Sequence, residues 1–258
     1  MQKIIDRMQV SPPKTIITQH ERSKVIGRAF AKGCGGGIIQ SFKLQELAKR
    51  NIIIPRVASY GILRGGGEAM GSAKDYWHID HGYFLRSTKP EAYNGYYRIT
   101  HNNLWSDGLD KRPSDRFESF NIKLKDWRKT GDQIVVVPPS KYMADYLEMH
   151  SWLKDTIEEI KKHTDRKIVI SIKNESPLER VLPGAWALVA DHSNAGITAL
   201  IEGIPTIFTN TARKLGEISK IEDPPMDRSF FGSLAYQQWT LEEIRSGEAW
   251  NYTGDTKR

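Results

Sequence analysis

The chain holds a single cysteine, Cys34, which excludes an internal disulfide and a cysteine-based zinc site and fits a reducing cytosol. No run approaches the roughly 18 apolar residues of a bilayer span. The opening Met1-Gln-Lys-Ile-Ile-Asp does not read as a signal peptide. The expectation is a cytoplasmic protein without a membrane span. Two enzyme signatures are missing as well. No G-x-G-x-x-G follows a strand, which disfavours hydride transfer, and no G-x-S-x-G elbow supports serine hydrolysis. Acidic residues fall short of basic ones, 31 against 38, giving a net charge of +7 and a pI near 9.3. That balance favours a polyanionic partner: nucleic acid, an anionic glycan or a phosphorylated donor. The excess is spread along the chain, not gathered in a tail. With 39% hydrophobic and 27% charged residues among 258, the composition is that of a globular chain, long enough for one large or two small domains.

What is present centres on the stretch from Trp186 to Asn210. Ala187 to Ala190 is a short apolar strand, and Asp191-His192-Ser193-Asn194 is a polar turn. A helix follows from Ala195-Gly196 through Ile201; Gly203 closes it and Pro205 prevents its continuation. Thr206 to Thr209 is β-rich, so the unit is strand–helix–strand and implies a parallel sheet with a right-handed crossover. Ligands of such sheets bind beyond the carboxyl ends of the strands, where Asp191 to Gly196 falls. Ser193 and Asn194 can cap the helix, the small residues after them leave backbone N–H groups accessible, and the helix dipole adds positive potential. These features suit a phosphate or diphosphate, with Glu202 as an acceptor for ribose hydroxyls. They read equally as an ordinary Ser/Asn cap and a surface glutamate.

Before this unit the chain alternates strands and helices. Thr15 to Thr18 reads as a strand, Glu21 to Lys32 as an amphipathic helix ended by Gly33, residues 38–50 as helical, and Val57 to Leu63 as a strand. Gly33 to Gly37 can approach a phosphate or sugar, but lacks the Lys-Ser/Thr of a P-loop and reads also as a plain glycine-rich connection. Tyr76 to Phe84 is a buried strand ending in charge: Asp80 lies at its end, flanked by His78 and His81. A carboxylate so placed is a natural general base for a hydroxyl. The same residues read as a structural hydrogen-bonded cluster or as metal ligands, although His78 and Asp80 face one side of a strand and His81 the other. Residues 106–130 interleave basic residues with Phe117, Phe120 and Trp127, which suits nucleic acid or a solvated loop held down by aromatics. Gly131-Asp132 marks an expected domain boundary. Beyond it come the buried strand Gln133 to Val137, a cap at Ser140, a helical stretch over 141–163 with Ser151 as an internal cap, and a strand from Lys167 to Ile172 with Lys173 at its exit. Thr240 with Glu243 forms a capping box, and Gly247 stops that last helix.

Two stretches carry a family resemblance. Ser193-Asn-Ala-Gly-Ile-Thr-Ala-Leu-Ile-Glu-Gly-Ile-Pro-Thr-Ile207 resembles the small-residue turn, helix and "E-G-x-P" of the donor-binding domain in GT-B glycosyltransferases. It is most similar to Kdo-transferase-like capsule polysaccharide enzymes and their phage-encoded relatives. Gly61-Ile-Leu-Arg-Gly65, followed by Ile79-Asp-His-Gly-Tyr-Phe-Leu-Arg-Ser87, resembles their "W-G" strand and their acceptor-side "E-D-G-F-x-R-S" segment. Asp80 matches the acidic position, Gly82 the glycine and Arg86-Ser87 the Arg-Ser, while His81 is inserted between acid and glycine. The family's "K-P-H-P" is reduced to Lys173, followed by Asn174-Glu175-Ser176-Pro177.

The resemblance covers most of residues 50–240 and implies an α/β chain of two Rossmann-like domains facing a cleft. Residues 1–130 would form the acceptor-side domain and 131–240 the donor domain, with 241–258 crossing back to the first. It implies a glycosyltransferase with Asp80 and His81 as catalytic groups and Arg64 and Arg86 on the acceptor side. Lys173, Ser193, Asn194, Gly196 and Glu202 would bind a UDP- or CMP-type nucleotide-sugar, with no tightly bound cofactor and no metal required. The short, basic chain and its phage-like character point to a 5-hydroxymethylpyrimidine in phage DNA as acceptor, such as 5-hydroxymethylcytosine flipped from the duplex in the host cytoplasm. The alternatives are a surface polysaccharide or lipopolysaccharide acceptor, and a non-catalytic nucleotide- or nucleic-acid-binding protein.

Overall fold

The structure is a computed structural model that describes residues 11–87, 93–105, 112–210 and 214–253. It is mixed α/β, with helices joining parallel strands in two sheets. The chain divides into two compact units, Met1–Leu104 with Gln237–Arg258, and Trp105–Tyr236. Residues 105–130 thus group with the second unit, and the turn at Gly131 lies inside it.

The first unit begins with β1 (Lys14–Ile17), α1 (Glu21–Cys34), β2 (Ile38–Gln40), α2 (Leu44–Lys49), β3 (Arg56–Tyr60), α3 (Gly66–Ser72), β4 (Asp75–His81) and β5 (Tyr97–His101). β2, β1, β3 and β4 lie side by side in that order and parallel, and β5 pairs antiparallel with β4. The core forms because α1 presents Ile26, Ala29 and Phe30, spaced by three and four residues, to Ala58, Trp77, Ile79 and Ile99 of the sheet. α1 runs past Gly33 and ends at Gly35, whose left-handed φ of 70° suits a helix C-cap. Gly33 serves another need: a Cβ there would lie 2.0 Å from the Ile244 carbonyl oxygen, so only glycine fits. The helical expectation over 38–50 is corrected at its start, where Ile38 and Ile39 pair with β1 as a three-residue edge strand. A strand this short carries no period of its own.

The second unit holds α4 (Asp115–Ser119), β6 (Gln133–Val137), α5 (Lys141–Tyr146), α6 (Trp152–Ile160), β7 (Lys167–Ile170), α7 (Leu178–Val181), β8 (Ala185–Ala190), α8 (Asn194–Ile201), β9 (Thr206–Phe208) and α9 (Phe231–Ala235). Its sheet is parallel throughout, in the order β7-β6-β8-β9. Ile134, Val135 and Val136 are all fully buried, as expected of a central strand covered on both faces. The helix expected over 141–163 breaks between Tyr146 and Trp152, where Glu148 adopts a left-handed φ of 56°. The basic and aromatic stretch is folded down within this unit. The Lys125 and Arg128 backbone N–H groups donate to Ile201 and Gly203 carbonyls at 2.9 and 2.7 Å. The Arg128 side chain donates to the Leu182 and Pro183 carbonyls, and Arg228 stacks 3.8 Å over Trp127.

The chain then adds β10 (Gln238–Trp239) antiparallel to β5, followed by α10 (Leu241–Ser246) and α11 (Glu248–Thr253). Thr240 and Glu243 form the capping box at the start of α10, and Gly247 ends it with φ 92°. Both sheets place their first strand between the second and third, as β2-β1-β3-β4 and β7-β6-β8-β9. In each, the chain departs to opposite sides of the first strand. This reversal opens a crevice at the carboxyl ends of β1 and β3 in one sheet, and of β6 and β8 in the other.

Candidate functional site

The carboxyl edge of the first sheet sets Asp80 among several cations. Asp80, near the end of β4, receives the Arg98 guanidinium at 2.8 Å and the His81 backbone N–H at 2.8 Å. β5 runs antiparallel with Asp80 opposite Arg98, so the pair is set by strand register. Burial pushes the Asp80 carboxyl up, but Arg98, His78 and His81 outweigh it, and its pKa lies below the ordinary carboxylate value. The side chain is 31% exposed, against 5% for Arg98. Asp80 is therefore held ionised and partly open to solvent, but at low basicity.

His81 faces the first turn of α1 and the end of β3. Its Nε2 lies 3.0 Å from Arg22 Nη1 and 3.2 Å from the Tyr60 hydroxyl. Arginine can only donate, so Nε2 accepts and a neutral ring carries its proton on Nδ1. Burial lowers the His81 pKa against the opposing pull of Asp80, which keeps the ring neutral at pH 7. With Nε2 engaged by two donors, His81 is better placed to hold Arg22 and Tyr60 than to abstract a proton. Burial, then the charge of Asp80, raises the Tyr60 pKa. Arg86 lies within electrostatic range of Asp80 and Arg98 on the loop after β4. That loop is fixed from β10, where the buried Gln238 side chain accepts the Tyr83 and Phe84 backbone N–H groups at 2.7 and 3.0 Å. Arg64 stands apart from these contacts, exposed in the β3–α3 turn with a left-handed φ of 56°.

The carboxyl edge of the second sheet has a different character. Ser193 caps α8 and its Oγ accepts the Ala195 backbone N–H at 3.2 Å, with Asn194 as the first helical residue. Gly196 is required by packing: a Cβ would lie 2.5 Å from the Phe208 ring. Lys173 is exposed in the turn after β7, an edge strand separated from β8 by β6, so its strand lies about 10 Å from that of Ser193. Glu202 is not brought to this edge. It caps the far end of α8, about 13 Å along the axis from Ser193, because the crossover helix returns the chain to the amino end of the next strand. There it pairs with Lys125.

Several polar residues at these edges escape sequence reasoning. Arg22, Tyr60 and Arg98 come from separate elements that the fold brings to Asp80 and His81, and Gln238 is brought to the loop after them. Asp191 and His192 lie in the turn already singled out, yet their pairing there became visible only in the structure. His78 is buried, with Nδ1 2.9 Å from the Leu104 carbonyl oxygen. Among the described residues, no three His, Cys, Asp or Glu side chains converge as a metal site. An apolar groove of about 370 Å³, lined by α2, residues 51–54 and α3, contains none of these groups. No described helix is long and apolar enough to cross a membrane.

No protein-family model matches the chain, and no curated protein matches it. Among solved structures it is similar to a KpsC beta Kdo 2,7 transferase of Thermosulfurimonas dismutans. That match has a TM-score of 0.49 and 13% identity, and covers 92% of this chain and 98% of that one. It is also similar to a KpsC beta Kdo 2,4 transferase of the same organism, with a TM-score of 0.46 and 13% identity over 88% of this chain and 92% of that one.

Proposed function

We propose that the chain is a glycosyltransferase of two Rossmann-like units that moves a sugar from a UDP- or CMP-type nucleotide-sugar to a hydroxyl acceptor. The observation that carries this reading is the Ser193-capped start of α8 at the reversal point of a parallel sheet, where the positive end of the helix suits a donor phosphate. Ser193 and Asn194 bind the donor, and Lys173 pairs with its phosphate charge. Asp80 supplies the ionised carboxylate that takes the acceptor proton or steadies charge at the anomeric carbon. Arg86 and Arg98 near Asp80, with Arg22 on His81, favour an acceptor carrying negative charge.

The net charge of +7 supports DNA bearing a 5-hydroxymethylpyrimidine as that acceptor. A second reading is an acidic surface glycan. It is favoured because Arg128 and Arg228 donate to carbonyls inside their own unit and Lys125 pairs with Glu202. The test is intact-mass analysis of hydroxymethylated and plain duplexes and of an acidic oligosaccharide, each incubated with a panel of UDP- and CMP-sugars. A sugar-sized gain on the hydroxymethylated duplex alone supports DNA, and a gain on the oligosaccharide alone supports the glycan. Nucleotide binding without cleavage or transfer would leave a binding protein. That last outcome accords with the low basicity of Asp80.

A further inference from the structure

The carboxyl edge of the second sheet also holds an ordered acid–imidazole pair that the donor reading leaves unused. Asp191 follows the last residue of β8, and its side chain is 5% exposed. It accepts from the Thr209 hydroxyl at 3.3 Å, the Asn210 amide at 3.1 Å and His192 Nδ1. Thr209 is itself fixed by the Trp152 indole N–H at 3.0 Å. The His192 ring lies against Trp105, with centroids 3.9 Å apart and planes at 34°. One face and one nitrogen of His192 are thereby held, and its Nδ1 proton is committed to a buried carboxylate. This arrangement orients an imidazole and stabilises its protonated form. The next residue is the Ser193 cap of α8. From Asp191 to Gly196, the turn facing this edge contains no lysine or arginine, so His192 is the one side chain in that turn able to carry a positive charge.

We propose that His192 is the general acid for the departing nucleotide phosphate, with Asp191 as its positioning residue. This rests on the glycosyl-transfer reading and deepens it. As the bond between the anomeric carbon and the phosphate oxygen breaks, its electron pair stays on that oxygen, which takes the Nε2 proton of the His192 imidazolium. The ring is left neutral, still donating through Nδ1 to Asp191. The anomeric carbon bonds to the oxygen of the acceptor, water in the test below, whose proton passes to solvent. His192 then regains its proton from solvent.

The test follows release of UDP or CMP by phosphorus NMR from UDP-glucose, CMP-N-acetylneuraminate and related donors, with water as acceptor. In the full chain, His192→Gln and His192→Gly should lower kcat about 100-fold or more while KM changes no more than about threefold. Added imidazole should restore turnover to His192→Gly but not to His192→Gln, a signature that a purely structural role does not produce. Asp191→Asn should lower kcat and abolish the downfield proton resonance of Nδ1–H, with the unfolding midpoint recorded as a folding control. If wild-type protein releases nucleotide and both His192 variants keep kcat within threefold, the acid role is overturned and the transferase reading survives. If the variants lose turnover with no rescue by imidazole, the acid role is likewise overturned in favour of a structural one. If wild-type protein cleaves no donor in the panel, both fall together.

Discussion

The two sheets share a strand order and differ in what that order exposes. In the first, the edge holds side chains from four elements: Arg22 from α1, Tyr60 from β3, Asp80 and His81 from β4, and Arg98 from β5. In the second, the turn after β8 presents a capped helix start beside the Asp191–His192 pair, and contains no lysine or arginine. The difference follows from what extends each sheet. Antiparallel β5 and β10 bring Arg98 opposite Asp80 and Gln238 beneath the loop after β4. The second sheet, as described, is four parallel strands, and its edge chemistry comes from the turns. Strand order sets where a site can be; the residues set there decide its chemistry.

The largest effect should come from separating the two edges by function. Asp80→Ala is expected to lower sugar transfer by about 10²–10⁴-fold, the range for losing a general base. It should leave the Kd for CMP or UDP, measured by calorimetry, within about threefold. A comparable loss of nucleotide affinity would show that the two edges do not divide the work as acceptor and donor sides. Next in size is a test of close packing. Gly33→Ala sets a Cβ 2.0 Å from the Ile244 carbonyl oxygen, whereas Gly196→Ala sets one 2.5 Å from a Phe208 ring that can turn. Urea unfolding should show a cost of about 3 kcal/mol at Gly33 and about 1–2 kcal/mol at Gly196, since backbone yields less than a side chain. Equal costs would mean that α10 shifts as freely as the ring.

These contrasts bear on what could be read from the sequence. The β8–α8–β9 unit, the buried run of β6, the α1 period and the Thr240–Glu243 box were legible because each signal lies within a few residues. β2 was not, since Ile38 to Gln40 is too short to show a period beside a helical neighbour. The break between α5 and α6 has no glycine or proline at its left-handed residue, Glu148, and so leaves no mark. At the candidate sites, Asp80 and Ser193 stand out by position at a strand end and a helix start. Arg98 becomes a partner of Asp80 only through β4–β5 register, and Glu202 moves away only once the direction of α8 is taken into account. Local chemistry is legible from sequence, whereas partnership between elements needs the fold.

A middle-sized effect concerns the ion pair itself. In Arg98→Met the burial that opposes ionisation of Asp80 is no longer outweighed by the guanidinium, so the pKa of Asp80 should rise. In the wild type the depressed folded pKa adds stability above the ordinary value of 3.8, and this is lost as pH falls through the folded value. In the variant an ionised, unpaired Asp80 costs stability at neutral pH, and protonation relieves it. The gap between the two proteins should be about 2 kcal/mol at pH 7, below the figure for a fully buried pair because Asp80 is 31% exposed. It should narrow as pH drops toward 4. Urea midpoints at pH 7, 5 and 4 check the sign, and a gap that widens in acid would rule out Arg98 as the group that holds Asp80 ionised.

The smallest effect sharpens the contrast between a cap at a reactive edge and a cap that only ends a helix. Ser193 Oγ accepts the Ala195 N–H at 3.2 Å, and Thr240 Oγ1 accepts the Glu243 N–H at 3.2 Å while Glu243 returns a bond to the Thr240 N–H at 2.6 Å. Replacing either cap with alanine removes one acceptor from a helix N-terminus and should cost about 1 kcal/mol, somewhat more at Thr240, where the reciprocal bond is also loosened. Stability alone therefore cannot tell them apart. Nucleotide affinity can: Ser193→Ala alters the backbone and hydroxyl groups offered to a donor phosphate and should weaken CMP or UDP binding about tenfold, while Thr240→Ala should leave it unchanged. If both variants bind nucleotide as the wild type does, Ser193 is a helix cap and nothing more, and the donor phosphate must be sought elsewhere along the edge of the second sheet.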